Sequence, residues 1–197
     1  LDSLLDIPEI DLVVINTDAR SILADHGLDA SLSPRVLIRD RKPELCGDFV
    51  SMNNVLADDV ANVSAGVYLM THTTNPLLSS LTILRALLAF EKARAAGQAD
   101  SLFTVNRYQT RFYRADGSAI NHDPNNLIRT QDLEPWFEEN SNLYLFTADS
   151  FRATNARIGR KPMLFETPRE ESADIDDQIG WNIAEVMAKA RQPSGLI

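Results

Sequence analysis

Leu12-Val13-Val14-Ile15-Asn16-Thr17-Asp18 is an apolar, β-branched run closed by small polar residues. That is the pattern of a buried strand ending where a turn begins. Residues 19–26 then read as a helix that stops at Gly27, a residue suited to a left-handed helix end. The alternation continues downstream. Residues 35–38 form a second short strand, 43–48 a loop and 49–61 a helix. Gly66-Val67-Tyr68-Leu69-Met70 is a third strand, and Ser79 or Ser80 caps a long helix that runs to Ala96 before Gly97. Residues 101–105, 142–146 and 163–166 read as further strands. Strands separated by helices predict an α/β fold with a mostly parallel sheet covered by helices on both faces. Such sheets bind ligands beyond the carboxyl ends of their strands. Thr17-Asp18, residues 71–76 and Asn106-Arg107 are therefore expected along one edge.

The pattern breaks after the fourth strand. Thr110 to Arg114, a turn at Ala115-Asp116-Gly117, and Ser118-Ala119-Ile120 read as a β-hairpin, followed by a polar stretch without helical period up to Glu139. Residues 108–141 are thus an arm inserted in one domain that spans 1–197. The opening residues, 1–7, read as the end of a helix, where a parallel α/β domain would start with a strand.

Composition narrows the partners. A formal charge of −9 argues against general nucleic-acid binding. No apolar run is long enough to span a bilayer. The single Cys46 excludes an intrachain disulfide and a CxxC zinc site, and a reducing cytoplasm is expected. The glycines form neither a GxGxxG loop nor a P-loop.

Near the C-terminus stands Glu171-Ser172-Ala173-Asp174-Ile175-Asp176-Asp177. In an extended segment Asp174 and Asp176 project to the same side, because side-chain direction repeats every second residue. Two carboxylates on one side make a hard oxygen site suited to Mg²⁺ with substrate phosphates. The alternative is capping of the helix predicted over 178–190, whose Ile179, Ile183, Val186, Met187 and Ala190 share a face. Capping accounts for one acid and leaves the alternation around Ile175 unexplained.

Taken together, the segments resemble the acylneuraminate cytidylyltransferase family, the CMP-sialic acid synthetases. The likeness is carried, in family order, by Val14-Ile15-Asn16-Thr17-Asp18, by Arg41-Lys42-Pro43-Glu44-Leu45-Cys46-Gly47-Asp48, and by His72-Thr73-Thr74-Asn75-Pro76-Leu77. Arg129-Thr130-Gln131 with Glu139-Asn140-Ser141-Asn142-Leu143-Tyr144, then Arg157-Ile158-Gly159 and Asp174-Ile175-Asp176, complete it. It covers nearly all of the chain but lacks the family's first strand and triphosphate loop. An N-terminal truncation of on the order of 30 residues, one βα unit, is expected. A fragment without that loop is expected to turn over poorly.

The resemblance implies a Rossmann-like nucleotidyltransferase. A sialic-acid-like nonulosonic acid would offer its anomeric hydroxyl to the α-phosphate of CTP, giving a CMP-sugar and pyrophosphate. It implies Asp174 and Asp176 as the Mg²⁺ ligands and catalytic acids, with Asp177 left to cap the helix. Thr17, Asp18, Arg41, Asp48, Ser51 and Asn53 would border the nucleotide. His72, Gln131, Asn140 and Tyr144 would border the sugar, and Arg129 would reach the sugar carboxylate. A salt bridge within the arm is the other reading of Arg129. The arm implies a homodimer, and Ser141 stands where the family turns tightly with Gly. Glu138-Glu139 stand where a second Arg is common, which leaves the sugar's identity open. A Kdo-type or other sugar nucleotidyltransferase is the nearest rival. A catalytically silent nucleotide-binding or dimerisation module is the rival of another class.

Overall fold

The computed structural model describes residues 1–29 and 31–191. Apolar β-branched segments form two sheets. Strands β1 (Val13–Thr17) and β2 (Val36–Asp40) pair in parallel, Val13 opposite Val36 and Thr17 opposite Asp40. The larger sheet has the order β3-β5-β4-β6, with β3 at Tyr68–Thr71, β4 at Ser101–Tyr108, β5 at Trp136–Phe146 and β6 at Pro162–Glu166. β5 is antiparallel to β3 and β4, and β4 is parallel to β6. Hence β3, β4 and β6 share one direction and only β5 is reversed. The expected mostly parallel α/β architecture holds, with the reversal supplied by the chain's return from the arm.

Alternation along β5 builds the core. Leu143 and Leu145 face one side, where Ile83, Ala86 and Phe90 of helix α4 (Ser80–Ala95) pack with Leu78 and Leu102. Tyr144 and Phe146 face the other, against Leu56 and Val60 of helix α3 (Met52–Asn62) and Phe151 of helix α5 (Ala148–Thr154). Burying a side chain of this size removes about 1.5–3 kcal/mol of apolar hydration cost, and Leu143, Tyr144 and Leu145 are fully buried. Short helices α1 (Asp2–Leu5) and α2 (Arg20–Asp25) flank β1 in sequence. Arg35 ties the N-terminal segment to the β1–β2 layer by donating to the carbonyls of Leu5, Ile7 and Ile10 at 2.9, 2.6 and 3.0 Å. Among the described residues no helix is long and apolar enough to cross a membrane.

Caps fall where local chemistry puts them. Ser79 Oγ accepts from Thr82 N at 3.2 Å, and Gly97 follows α4 at φ 68°. Asp177 Oδ1 accepts from Gly180 N at 2.7 Å at the start of helix α6 (Gln178–Arg191), as expected for Asp177. Several expectations are corrected. The hairpin over 110–120 is minimal: Tyr113 bridges antiparallel to Ala119, with Arg114 N donating to Ser118 O and Ile120 N to Phe112 O, both at 2.9 Å. β5 begins at Trp136, inside the stretch expected to be irregular. α3 starts at Met52 rather than 49, because Ser51 caps it and leaves Phe49 fully exposed. α5, held by a capping box between Thr147 and Ser150, had not been foreseen. Among the described residues nothing covers the apolar face of α6, and Ile179, Ile183 and Val186 are exposed.

Candidate active site

At the carboxyl edge of β3, β4 and β6 the sheet is interrupted. The β4–β5 ladder passes from Phe103 opposite Tyr144 to Val105 opposite Glu139, so Thr104 alone faces residues 140–143. Thr104 Oγ1 bridges the irregularity, accepting from Leu143 N at 2.9 Å and donating to Leu143 O at 3.2 Å. Ser141 takes φ 56°, the left-handed region. Such bulges re-aim side chains next to functional sites. Here the turn brings Glu139 and Ser141 beside the hydroxyl of Tyr144.

Around that hydroxyl lies a compact polar group. Arg157, from the connection between α5 and β6, lays its guanidinium over the Tyr144 ring, 3.8 Å from the centroid. Its Nη2 donates to the Tyr144 hydroxyl at 2.9 Å and lies 3.5 Å from Glu139 Oε1. The Tyr144 hydroxyl donates to Glu139 Oε1, and Ser141 Oγ is 3.1 Å away. Arg157 Nη1 is 3.2 Å from His72 Nε2, just past the end of β3. Burial, then the bond to Glu139, pushes the Tyr144 phenol up to about 12. Burial, then the Arg157 charge, holds His72 below its ordinary value, with Asp174 and Glu139 opposing. His72 is therefore a neutral acceptor for Arg157.

The acidic motif closes onto this edge. Ile175 N donates to Thr74 O at 2.9 Å. Ile175 is half-buried while Asp174 and Asp176 are exposed on either side of it, so both carboxylates lie on the outer side of the loop. α6 packs close behind: a Cβ on Gly180 would stand 2.6 Å from Asp174 O. Upstream, Glu171 is buried and accepts from Ser79 N and Oγ at 3.0 and 2.8 Å. Asn142 Nδ2 donates to Glu171 O at 3.0 Å. Asn75, in the same loop as Thr74, is buried, and among the described residues neither of its amide atoms is paired.

Of the predicted residues, His72, Tyr144, Asn53 and Asp174 come together here. Asn53 Oδ1 accepts from Arg157 N at 3.2 Å, and Ser51 caps α3 beside it. Thr17 and Arg41 meet at the β1–β2 end, where Arg41 N donates to Thr17 O at 2.7 Å and the Arg41 guanidinium to Asn16. Asp18 and Asp48 are exposed. Asn140 is buried, and its amide is taken up by Asn106, Thr167 and Ser172 at 3.1, 2.7 and 3.2 Å. Arg129 lies on the exposed arm paired with Asp132 at 2.7 Å, and Gln131 is exposed nearby. Arg157 and Glu139 were not assigned a role from sequence. The sequence marks Arg157 only as part of the family likeness and Glu139 only as a departure from it, since partners of Arg157 lie up to 104 residues away.

Asp174 and Asp176 are exposed on either side of the half-buried Ile175. Among the described residues there is no group of three metal-ligating side chains. Asp174 and Asp176 are an oxygen-only donor pair, of the type compatible with an ion that takes its other ligands from phosphate and water. A separate hollow of about 320 Å³ at the opposite edge, lined by Gly66, Arg94, Asp100, Thr147 and Asp149, adjoins the segments that lead into β3 and β4 and the end of the reversed β5.

Comparison with known proteins gives a consistent set of relatives. A family model described as "Cytidylyltransferase" matches residues 1–174. The post-translational flagellin modification protein B of Campylobacter coli is 24% identical over 121 residues, 59% of this chain and 50% of that protein. The match thus spans about half the length of this curated relative. The structure of 4-diphosphocytidyl-2C-methyl-D-erythritol synthase from Anaerococcus prevotii superposes with a TM-score of 0.67 at 11% identity, covering 97% of this chain and 83% of that one. A CMP:2-keto-3-deoxy-manno-octonic acid synthetase complexed with CTP gives a TM-score of 0.58 at 12% identity over 97% and 85%. These two similarities concern the fold.

Proposed function

Because this chain belongs to the cytidylyltransferase family, we propose that it transfers CMP from CTP to a sialic-acid-like nonulosonic acid, with release of pyrophosphate. The observation that carries the reading is the convergence of Asp174, His72, Tyr144 and Arg157 at the carboxyl edge of the sheet. The sugar's anomeric oxygen forms a bond to the α-phosphorus as the bond to the β-phosphate breaks. The hydroxyl proton leaves to solvent and the electron pair leaves with pyrophosphate. Such a transfer is mostly positioning and charge stabilisation. Asp174 and Asp176 are the residues that would hold Mg²⁺, and the ion would supply neutralisation of the charge gathering on the phosphates. His72 is not the base in this reading, since Arg157 occupies its Nε2 lone pair. His72 instead orients Arg157, and Tyr144 forms the wall beneath the guanidinium.

The finer assignments belong to the same proposal. Thr17 and Arg41 face the nucleotide together with Ser51 and Asn53. The exposed Tyr113, Leu127, Ile128, Trp136 and Phe137 on the arm support a homodimer formed through it. The single half-buried Cys46 supports a cytoplasmic setting. The relative named for flagellin modification supports a sugar product destined for a protein.

The test is CTP-dependent pyrophosphate release by the full-length gene product across N-acetylneuraminate, two diamino nonulosonates and Kdo. Turnover with a nonulosonate that stops on chelation of Mg²⁺ is expected. Asp174→Asn and Asp176→Asn should each remove most activity with an unchanged melting curve. Turnover with Kdo alone would move the substrate to the rival class, and wild-type rates in both variants would defeat the metal assignment.

A further inference from the structure

The Tyr144 hydroxyl and the Arg157 guanidinium hold a carboxylate, and that carboxylate belongs to the protein. Glu139 Oε1 accepts from Tyr144 and lies 3.5 Å from Arg157 Nη2. Its side chain is 41% exposed, whereas that of Arg157 is 19% exposed. The cation is thus built in, fixed by Tyr144, His72 and the Asn53 contact to its backbone, while the acid sits at the mouth. Glu139 stands opposite Val105 at the last rung of the ladder before the irregular turn at Asn140 and Ser141. The only ionic partner of Arg157 among the described residues is this half-exposed acid. A guanidinium is matched in shape and charge to a carboxylate.

We propose that Arg157 and Tyr144 form the seat for the acceptor's carboxylate, and that Glu139 fills this seat when no acceptor is bound and is displaced on binding. The inference rests on the reading that the acceptor is a sugar acid, and it names the residues that read the acid. Arg129, the arginine that the family resemblance singles out for this task, is 72% exposed and engaged with Asp132. Arg157 is half-buried, a setting in which a charged hydrogen bond counts for more than on the exposed arm. Asp174 acts on the same His72 that Arg157 touches, so a carboxylate seated here would lie close to the acids assigned to the metal. Glu139 makes the seat selective: a neutral acceptor gains too little to displace a bound carboxylate, while an anionic one exchanges like for like.

The experiment compares a sugar acid turned over by the full-length wild type with its C1 carboxamide, which has the same shape without the charge. Wild type is expected to show a KM for the acid about 10- to 100-fold below that for the amide, the range of a charge-assisted hydrogen bond. Arg157→Ala should raise the KM for the acid by that factor, abolish the preference and leave the KM for CTP within about twofold. Arg157→Lys should recover part of the preference, since it restores the charge without the fork. Glu139→Gln should move the other way, lowering the KM for the acid several-fold and that for the amide as well, since a neutral side chain is displaced more easily than a carboxylate. If Arg157→Ala fails to fold, the Glu139→Gln comparison decides alone. An acid preference that survives in Arg157→Ala, or an acid KM unaltered in Glu139→Gln, overturns the assignment while leaving the cytidylyltransferase reading intact. Absence of turnover with every sugar acid by wild type defeats that reading, and this one with it.

Discussion

Glu171 offers a direct probe of how the loop bearing Asp174 and Asp176 is held. Its buried carboxylate accepts from both Ser79 N and Ser79 Oγ, at 3.0 and 2.8 Å, at the N-terminus of the 16-residue helix α4. Glu171→Ala removes both bonds and leaves the Ser79 amide unpaired. A hydrogen bond to a charged group contributes about 1.5–3 kcal/mol, and a negative charge at a helix N-terminus adds about 0.3–1 kcal/mol. Ser79 Oγ keeps its bond from Thr82 N, so the two losses overlap and a destabilisation of about 2–4 kcal/mol follows. For a chain of this length that is a fall of about 5–15 °C in Tm. Urea denaturation of wild type, Glu171→Ala, Ser79→Ala and the double variant closes a cycle, with an expected coupling of about 1–3 kcal/mol. Glu171→Gln, which keeps the shape and one carbonyl acceptor, should lose only about 1 kcal/mol. Because Asn142 also grips Glu171 O, kcat measured well below both melting temperatures should fall as the loop loses its anchor. A coupling below about 0.5 kcal/mol would mean that the two residues act independently, and the account of the anchor would be wrong.

Ser141 is a non-glycine residue at φ 56°. Ser141→Gly relieves about 1–2 kcal/mol of left-handed strain against about 0.5–1 kcal/mol of added chain entropy. A gain of roughly 0.5–1 kcal/mol in urea denaturation is expected, and a loss would show that the Oγ contact with Tyr144 outweighs the strain. His72 is held below its ordinary value near 6.5 in the fold, so on acidification the unfolded chain binds a proton first. Stability from this group is full above 6.5 and declines below it, down to the lowered folded value. His72→Gln should flatten that acid limb below about pH 6.5, and parallel curves for the two proteins would refute the burial and Arg157 contact as its cause.

The pattern of local chemistry is the part of the molecule that reads well from its residues. Ser79 caps α4, Gly97 follows it, and Asp177 caps α6, because a cap needs only a side chain and a backbone a few residues apart. The alternation of Asp174, Ile175 and Asp176 is seen as exposed, half-buried and exposed for the same reason. Boundaries drifted where a cap outcompeted apolar pattern, as at Ser51 and Phe49. α5 escaped notice because its stability comes from the Thr147–Ser150 box and from Phe151 packed against Phe146, not from a long periodic face.

By itself, then, the sequence determined the order of the strands and of the longer helices, the loop over 71–76, the acidic pair and its helix cap, while Asn106-Arg107, expected beyond a strand end, lies inside β4. Each depends on neighbours within about a helical turn or on a repeat of period two. Only the tertiary structure decided that β5 runs against its neighbours, that Asn140 is spent on Asn106, Thr167 and Ser172, and that Arg157 meets His72, Tyr144 and Glu139. Those contacts join residues far apart in the chain. Their energies depend on which groups are buried together, and a linear string of residues does not carry that information.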